Sequence, residues 1–289
     1  MLRIALPNKG RLSEDARDLF NQAGLNVLVR GDRALTASLG GEFEAIFVRA
    51  QDVPEFVADG AADAGITGLD LVSESGRDLE SLLDLEFGAC RLVVACRDDS
   101  PVTSVADIEP GSRVATAFPS VAQRYFSSAG ANLHIVPISG AAEIAPHLGI
   151  ADLILDVTST GSTLRTNGLR EIATVMSSSA QLYAAKGRAT TWASEKLNAL
   201  EQLTGALASV ICARGKRYLM ANVLRDSLPR VKEILPGITG PTVVDILNGG
   251  RFVAVHSVVQ AKSVYRTIAS LKEVGAEGIL VTRIERLVP

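Results

Sequence analysis

The sequence predicts an α/β protein with a two-lobed core and a ferredoxin-like βαββαβ tail. Three observations predict it. From Leu2 to about Asp70, short apolar strands alternate with helical segments through polar, Gly-containing loops. A second alternation of the same kind starts at Arg91, after the charged stretch around Asp84 and Glu86. From residue 214 the order changes to β-α-β-β-α-β, the ferredoxin-like unit.

The elements follow in order. Leu2 to Leu6 reads as a strand and Pro7 to Arg11 as a turn, with Lys9 and Arg11 in the loop. Ser13 is expected to cap a helix carrying Glu14 and Asp15 in its first turn, where acids favour the helix dipole. Ala16, Leu19, Phe20 and Ala23 recur at helical spacing, and Gly24 stops the helix. Glu44 to Val48 is a strand ending at Arg49; Asp52 caps a short helix with Pro54 in its first turn, closed by Gly60. Ala62 to Ile66 is a strand followed by the loop Thr67-Gly68-Leu69-Asp70. A largely parallel sheet is expected, with ligand loops at the carboxyl ends of its strands.

The second lobe reads as strands Arg91 to Cys96, Arg113 to Thr116 and Leu133 to Ile138. A helix capped by Ser120 is expected to stop near Gly130, and another to carry Glu143 to about Leu148. Trp192 to about Ala213 is a long amphipathic helix with the stripe Leu197, Leu200, Leu203, Leu207 and Ile211. It is expected to pack back on the first lobe. The boundaries are 1–90 with 181–213 for the first lobe, 91–180 for the second and 214–289 for the tail. Two lobes joined by crossing segments leave a cleft, a common place for small ligands. In the tail, Tyr218 to Val223, Pro241 to Ile246, Phe252 to Val258 and Gly278 to Ile284 are strands, Ser227 to Leu235 and Ala261 to Val274 helices, and Asn248-Gly249-Gly250 a hairpin turn.

Composition narrows the function. The 289 residues are 47% apolar and 21% charged, enough for a large core. Aromatic residues are only 4%, the net charge is −3, and no basic block occurs, so nucleic acid is a poor partner. No apolar run reaches the ~20 residues that span a bilayer. The N-terminal MLRIALPNKG lacks the apolar core of a signal peptide. Three cysteines without C-x-x-C fit a reducing cytoplasm. The three histidines are far apart, and no metal site is expected among the side chains.

The stretch Asp152 to Gly168, DLILDVTSTGSTLRTNG, carries the chemistry. A short apolar run, Leu153 to Leu155, stops at the carboxylate of Asp156 and opens into Thr158, Ser159, Thr160, Gly161, Ser162 and Thr163. Hydroxyls and backbone N–H groups can surround a phosphate, and glycine admits close approach. A carboxylate repels phosphate but accepts hydrogen bonds from ribose hydroxyls. The pattern asks for a ribose and its phosphate together.

Glu143, Gly149, Ala151, Ile154, Asp156, Thr160, Gly161, Thr163 and Leu164 together resemble the signature of the ATP phosphoribosyltransferase family. LPNKGRL, FVRAQDVPEFVADGAADAGITGLDL and YLMANV are each like the family at the matching place, and the tail looks like the regulatory domain of its long form. The resemblance implies lobes like those of periplasmic binding proteins. It implies that ATP and phosphoribosyl pyrophosphate give N1-(5-phosphoribosyl)-ATP and pyrophosphate, with Mg²⁺ held mainly by the substrate. Thr158 to Thr163 would cradle the 5-phosphate, Asp156 the ribose hydroxyls, and Glu143 the sugar or a neighbouring loop. Arg49 and Lys9 would complete the catalytic group, Arg49 facing pyrophosphate. Lys9, Gly10, Arg11, Arg33, Gly68 and Asp70 would face ATP. L-histidine would bind the tail as inhibitor, near Asn222, Thr242 and Ala276, and dimers and hexamers are implied. Two other readings compete. A cytoplasmic small-ligand sensor on a binding-protein scaffold would not need Asp156 to Thr163 with Arg49. A nucleotide-dependent kinase would need G-x-x-x-x-G-K-[ST], which is absent.

Overall fold

The computed structural model describes residues 1–29, 34–247 and 250–288, and its contacts divide the chain into two compact units, 1–204 and 205–289. The first unit opens with β1 (Leu2–Pro7), α1 (Arg11–Gln22), β2 (Val27–Val29), β3 (Thr36–Leu39), β4 (Phe43–Val48), α2 (Val53–Ala58), β5 (Ala64–Gly68), α3 (Leu69–Ser75) and β6 (Leu79–Asp84). It continues with β7 (Cys90–Arg97), β8 (Arg113–Thr116), α4 (Pro119–Ser128), β9 (His134–Pro137), β10 (Leu153–Thr158), α5 (Ser162–Thr166), β11 (Leu169–Ser178), β12 (Ala180–Ala185) and α6 (Arg188–Thr191). Helix α7 (Ser194–Ala213) runs across the division between the units.

These strands form two sheets, one in each lobe. The first has seven strands in the order β2-β3-β4-β1-β5-β12-β6, and the second five in the order β11-β7-β10-β8-β9. The chain passes between them twice, from β6 to β7 and from β11 back to β12. Only Ser179 separates Ser178, which ends β11, from Ala180, which begins β12. The largely parallel sheet expected for the first lobe is corrected. Only β4, β1 and β5 run parallel, and β2, β3, β12 and β6 join antiparallel. The returning β12 must lie antiparallel because it enters directly from the second sheet.

Burial explains the apolar runs. β7 places Leu92, Val94 and Cys96 in one core cluster with Val114, Phe126 and Leu155, and Val93 and Ala95 in another with Ile154 and Leu164. A strand covered on both faces has no polar side, hence RLVVAC. In the first lobe, α1 buries Ala16, Leu19 and Phe20.

Several local expectations are corrected. Helix α1 starts at Arg11 after Gly10, so Ser13 lies buried inside the first turn. Asp52 precedes α2 without a side-chain capping bond. Helix α4 starts at Pro119, so Ser120 does not cap it. Glu143 sits on a 3₁₀ turn, Ala142–Ile144, and no α-helix follows it, because Pro146 lacks the N–H that a continued helix needs. β10 does not stop at Asp156 but continues to Thr158 along antiparallel β7. Helix α7 starts at Ser194, and Trp192 adopts extended backbone before it.

The second unit contains β13 (Lys216–Leu224), α8 (Leu228–Ile234), β14 (Thr242–Asp245), β15 (Phe252–Gln260), α9 (Val264–Glu273) and β16 (Glu277–Arg283). The sheet order β14-β15-β13-β16, antiparallel throughout, is the ferredoxin-like arrangement. Its core joins Leu219, Ala221 and Val223 to Val253, Val255, Val231 and Leu271. Asn248 and Gly249 of the expected hairpin turn lie outside the described residues.

Candidate functional site

The first lobe brings three loops to one edge. β4, β1 and β5 are adjacent and parallel, so Arg49, Asn8 to Arg11 and Thr67 to Asp70 emerge at the same end. The Asn8 N–H donates to the Val48 carbonyl at 2.8 Å, and the Thr67 hydroxyl donates to the Ala50 carbonyl at 2.7 Å. The loops are thereby tied to one another. Lys9 and Arg49 are exposed, and neither makes an ion pair among the described residues. Arg11 lies 3.8 Å from Asp15 and is largely exposed. Three cations therefore stand at this edge, with little to neutralise them. Arg33 lies outside the described residues.

Gly68 and Asp70 are placed differently from these exposed cations. Asp70 is buried in the first turn of α3, and its carboxylate accepts the Ser178 hydroxyl at 2.6 Å. A Cβ on Gly68 would stand 2.1 Å from Asp70 Oδ1. Close approach of the protein's own carboxylate thus requires glycine there.

The second lobe supplies the hydroxyl loop. β8 pairs with β10 only at Leu153, Ile154 and Leu155, so Asp156 is the first residue beyond the parallel register. Among the described residues, its carboxylate accepts one hydrogen bond, from the Val157 N–H at 2.7 Å. Burial pushes the Asp156 carboxyl above its ordinary range; the Val157 N–H draws it back, and the nearby charge of Glu143 raises it further. Glu143 follows Ala141, whose φ of 50° is the left-handed conformation that costs a non-glycine residue about 1–2 kcal/mol.

The loop is held by its own groups. The buried Thr158 hydroxyl accepts the Gly161 N–H at 2.9 Å, and the Thr160 and Ser162 hydroxyls lie 2.9 Å apart. Gly161, at φ 72°, turns the chain into α5. Ser159, Thr160, Ser162 and Thr163 are exposed. Beneath them, Arg91 forks onto Glu171 at 2.8 and 3.1 Å, and Arg165 donates to the Thr160 carbonyl at 3.2 Å. Exposed hydroxyls and free N–H groups at the start of a short helix can take a phosphate, and the adjacent carboxylate can take sugar hydroxyls.

A cavity of about 610 Å³ lies between the lobes, lined among others by Gln51, Glu55 and Glu74 from the first and Thr116, Phe118 and Ser139 from the second. None of the hydroxyl-loop residues, Thr158 to Thr163, is among those that line it. Sequence reasoning missed Gln51, Glu74 and Phe118. Lone residues after a strand or at a helix end carry no local signal; only Phe118-Pro119 after an apolar strand marks a loop at a carboxyl end.

In the second unit, Asn222 pairs with Glu277, the residue after Ala276, so these two candidates are neighbours. Thr242 pairs with His256 on the far side of β15, so Thr242 stands apart from them.

Residues 49–208 match the family model for HisG, ATP phosphoribosyltransferase, and residues 213–286 match the model for the HisG C-terminal domain. The chain is 64% identical over 292 residues to an ATP phosphoribosyltransferase of Gemmatimonas aurantiaca, with 100% of both chains covered. It is 49% identical over 289 residues to an ATP phosphoribosyltransferase of Haloarcula marismortui, covering 99% of this chain and 100% of that one. A solved ATP phosphoribosyl transferase (HisG:HisZ) complex from Thermotoga maritima matches with a TM-score of 0.63 at 29% identity, over 72% of this chain and 99% of that chain. The solved chain is thus matched almost whole while over a quarter of this chain has no counterpart in it, and a separate model covers the C-terminal domain. The chain belongs to the ATP phosphoribosyltransferase family, in its long form.

Proposed function

We propose that this chain joins ATP to phosphoribosyl pyrophosphate, forming N1-(5-phosphoribosyl)-ATP and pyrophosphate as the first step of histidine biosynthesis. The observation that carries the reading is the half-buried Asp156 beside a hydroxyl loop at the end of β10, in a chain of this family. N1 of adenine is a neutral nucleophile and needs no strong base. The difficult event is departure of pyrophosphate from C1 of the ribose, which leaves positive character on the sugar. Positioning and charge stabilisation therefore supply the catalysis.

Thr158, Ser159, Thr160, Gly161, Ser162 and Thr163 hold the 5-phosphate in this reading. Asp156 accepts the ribose hydroxyls, and Glu143 stands beside it. A carboxylate poor in hydrogen-bond partners suits this role, because sugar hydroxyls supply the missing donors. Arg49 and Lys9 face the leaving pyrophosphate, and Lys9, Gly10, Arg11, Arg33, Gly68 and Asp70 form the ATP side. The burial of Asp70 makes it a support for that side rather than an exposed contact. Mg²⁺ would be held mainly by the substrate phosphates, with Asp156 and Glu143 the carboxylates able to face it. The bound ion would neutralise charge on the leaving group.

Residues 1–90 with 181–213 form the ATP-side lobe, 91–180 the phosphoribosyl lobe, and 214–289 a regulatory domain for L-histidine near Asn222, Thr242 and Ala276. Dimers and hexamers, and a cytoplasmic location, belong to the same reading. Pyrophosphate release with ATP, phosphoribosyl pyrophosphate and Mg²⁺, each omitted in turn, tests it. Release only in the complete mixture is expected. Release without ATP would sink the assignment.

A further inference from the structure

Helix α3 leaves the first sheet but is fastened to the second lobe along its whole length. At its start, the Asp70 N–H donates to the Ser178 hydroxyl at 3.1 Å, and that hydroxyl donates to Asp70 Oδ1 at 2.6 Å. Both residues are buried, and Ser178 ends β11 where the chain crosses back to the first sheet. Leu71 packs against the apolar cluster of Leu92, Phe118 and Phe126. At its end, Arg124 of α4 donates to the Ser73 carbonyl.

Glu74 completes the set. Its two carboxylate oxygens accept the N–H groups of Ser120 and Val121, each at 2.9 Å. These are orphan donors in the first turn of α4. The residue before α4 is Phe118, which has no side-chain acceptor, and α4 has no capping side chain of its own. The helix is therefore capped from the opposite lobe, by a carboxylate placed where the helix dipole favours negative charge. Glu74 also lines the 610 Å³ cavity between the lobes, as do Phe118 and Pro119. A step of four positions along α3, about 6 Å of helix, separates this cap from the buried bond of Asp70 at the crossover.

We propose that Glu74 is a positioning residue for the transfer: by capping α4 across the cleft, it holds the ATP-side and phosphoribosyl-side lobes at their working separation. The proposal rests on the transferase reading of the cleft. Neither substrate needs to touch Glu74. Its loss lowers the fraction of molecules with the lobes in register, and apparent affinity falls by that fraction for any ligand that needs both lobes.

The full-length chain carrying Glu74→Ala tests this, with ATP and phosphoribosyl pyrophosphate varied separately in the presence of Mg²⁺. Both KM values are expected to rise together, by roughly fivefold or more, with kcat within about twofold. Amide hydrogen exchange at Ser120 and Val121 is expected to accelerate without substrates. Glu74→Gln keeps one acceptor and the side-chain shape, and is expected to restore part of the affinity for both substrates. A rise in KM for one substrate alone would overturn the proposal, since Glu74 would then be a direct contact. Faster exchange with unchanged kinetics would also overturn it, leaving Glu74 a cap with no part in the reaction. A wild-type chain that releases no pyrophosphate would overturn the transferase reading, and the positioning role with it. An active wild type with indifferent Glu74 variants would overturn only the role of Glu74.

Discussion

Gly161→Ala and Gly187→Ala form a matched pair of perturbations. Gly161 precedes α5 with φ 72° and ψ 4°, and Gly187 precedes α6 with φ 73° and ψ 4°. Alanine in this left-handed conformation costs about 1–2 kcal/mol. Its smaller unfolded-state entropy offsets about 0.4–1 kcal/mol. Both variants should therefore lose on the order of 1 kcal/mol from backbone strain. They differ in surroundings. A Cβ on Gly187 meets nothing within 4 Å, whereas one on Gly161 would lie 2.8 Å from Glu171 Oε1 and 3.0 Å from an Arg165 nitrogen. Those side chains must move, which loosens the Arg91–Glu171 fork and the hold of Arg165 on Thr160. The pair is partly exposed, at 37% and 28%, so the further loss is about 0.5–1 kcal/mol. Urea unfolding should thus place Gly161→Ala below Gly187→Ala by that margin. Under the proposed function, the displaced loop also loses a charge-assisted hydrogen bond to the phosphate, about 1.5 kcal/mol or more. KM for phosphoribosyl pyrophosphate should rise at least about tenfold in Gly161→Ala and stay within about twofold in Gly187→Ala. Equal stability losses with equal KM values would refute the reasoning, because the loop would then be an ordinary turn.

Three other outcomes are expected. Asp156→Asn should lower kcat/KM at least about tenfold, or about 1.4 kcal/mol, without lowering stability at neutral pH. Burial raises the Asp156 pKa, so between the ordinary value of 3.8 and the raised one the native chain binds more protons than the unfolded chain. Stability contributed by this group then falls as pH rises through that window, and urea midpoints from pH 4 to 7 should show the asparagine variant without that slope. Arg49→Ala should cost at least about tenfold in kcat/KM yet change stability by less than about 0.5 kcal/mol, since its side chain is exposed; wild-type kinetics would remove Arg49 from the site. Ending the chain after Gly215 should abolish inhibition by L-histidine in a pyrophosphate-release assay, and persistent inhibition would place the effector site in the remaining chain.

The parts legible in the sequence were those whose signal is local. Period-2 and period-3.6 apolar patterns marked β1, α1 and β4, a short continuous apolar run marked β10, and the alternation of segments marked the β-α-β-β-α-β order of the tail. The hydroxyl loop was legible as a turn, because Gly161 supplies the left-handed conformation and the hydroxyls around it bond the turn's own backbone. β2, β3 and β6 were missed. β2 and β6 are the edges of their sheet and β3 lies beside β2; β2 is only the three residues VLV, and β3 and β6 mix polar and apolar residues, as TASL and LESLLD. β11 and β12, on either side of the crossing at Ser179, were missed because bulges in their antiparallel pairing interrupt the alternation. The α4 cap was misread for a related reason. Ser120 was the nearest candidate by spacing, while the group that does the capping, Glu74, lies 46 residues away. Asp70 read as a loop acid because its partner Ser178 is 108 residues distant. Glu143 was placed on a helix by its apolar neighbours, although Pro146 and Gly149 permit only a short turn.

The central claim is that a bond forms between C1 of the ribose and N1 of adenine. It is tested most directly by nuclear magnetic resonance of the product from phosphoribosyl pyrophosphate labelled with carbon-13 at C1 and ATP labelled with nitrogen-15 at N1. The full-length chain with Mg²⁺ should yield a product showing one-bond carbon–nitrogen coupling between the two labels. Recovery of the carbon label as free ribose 5-phosphate, with ATP unchanged, would contradict the account.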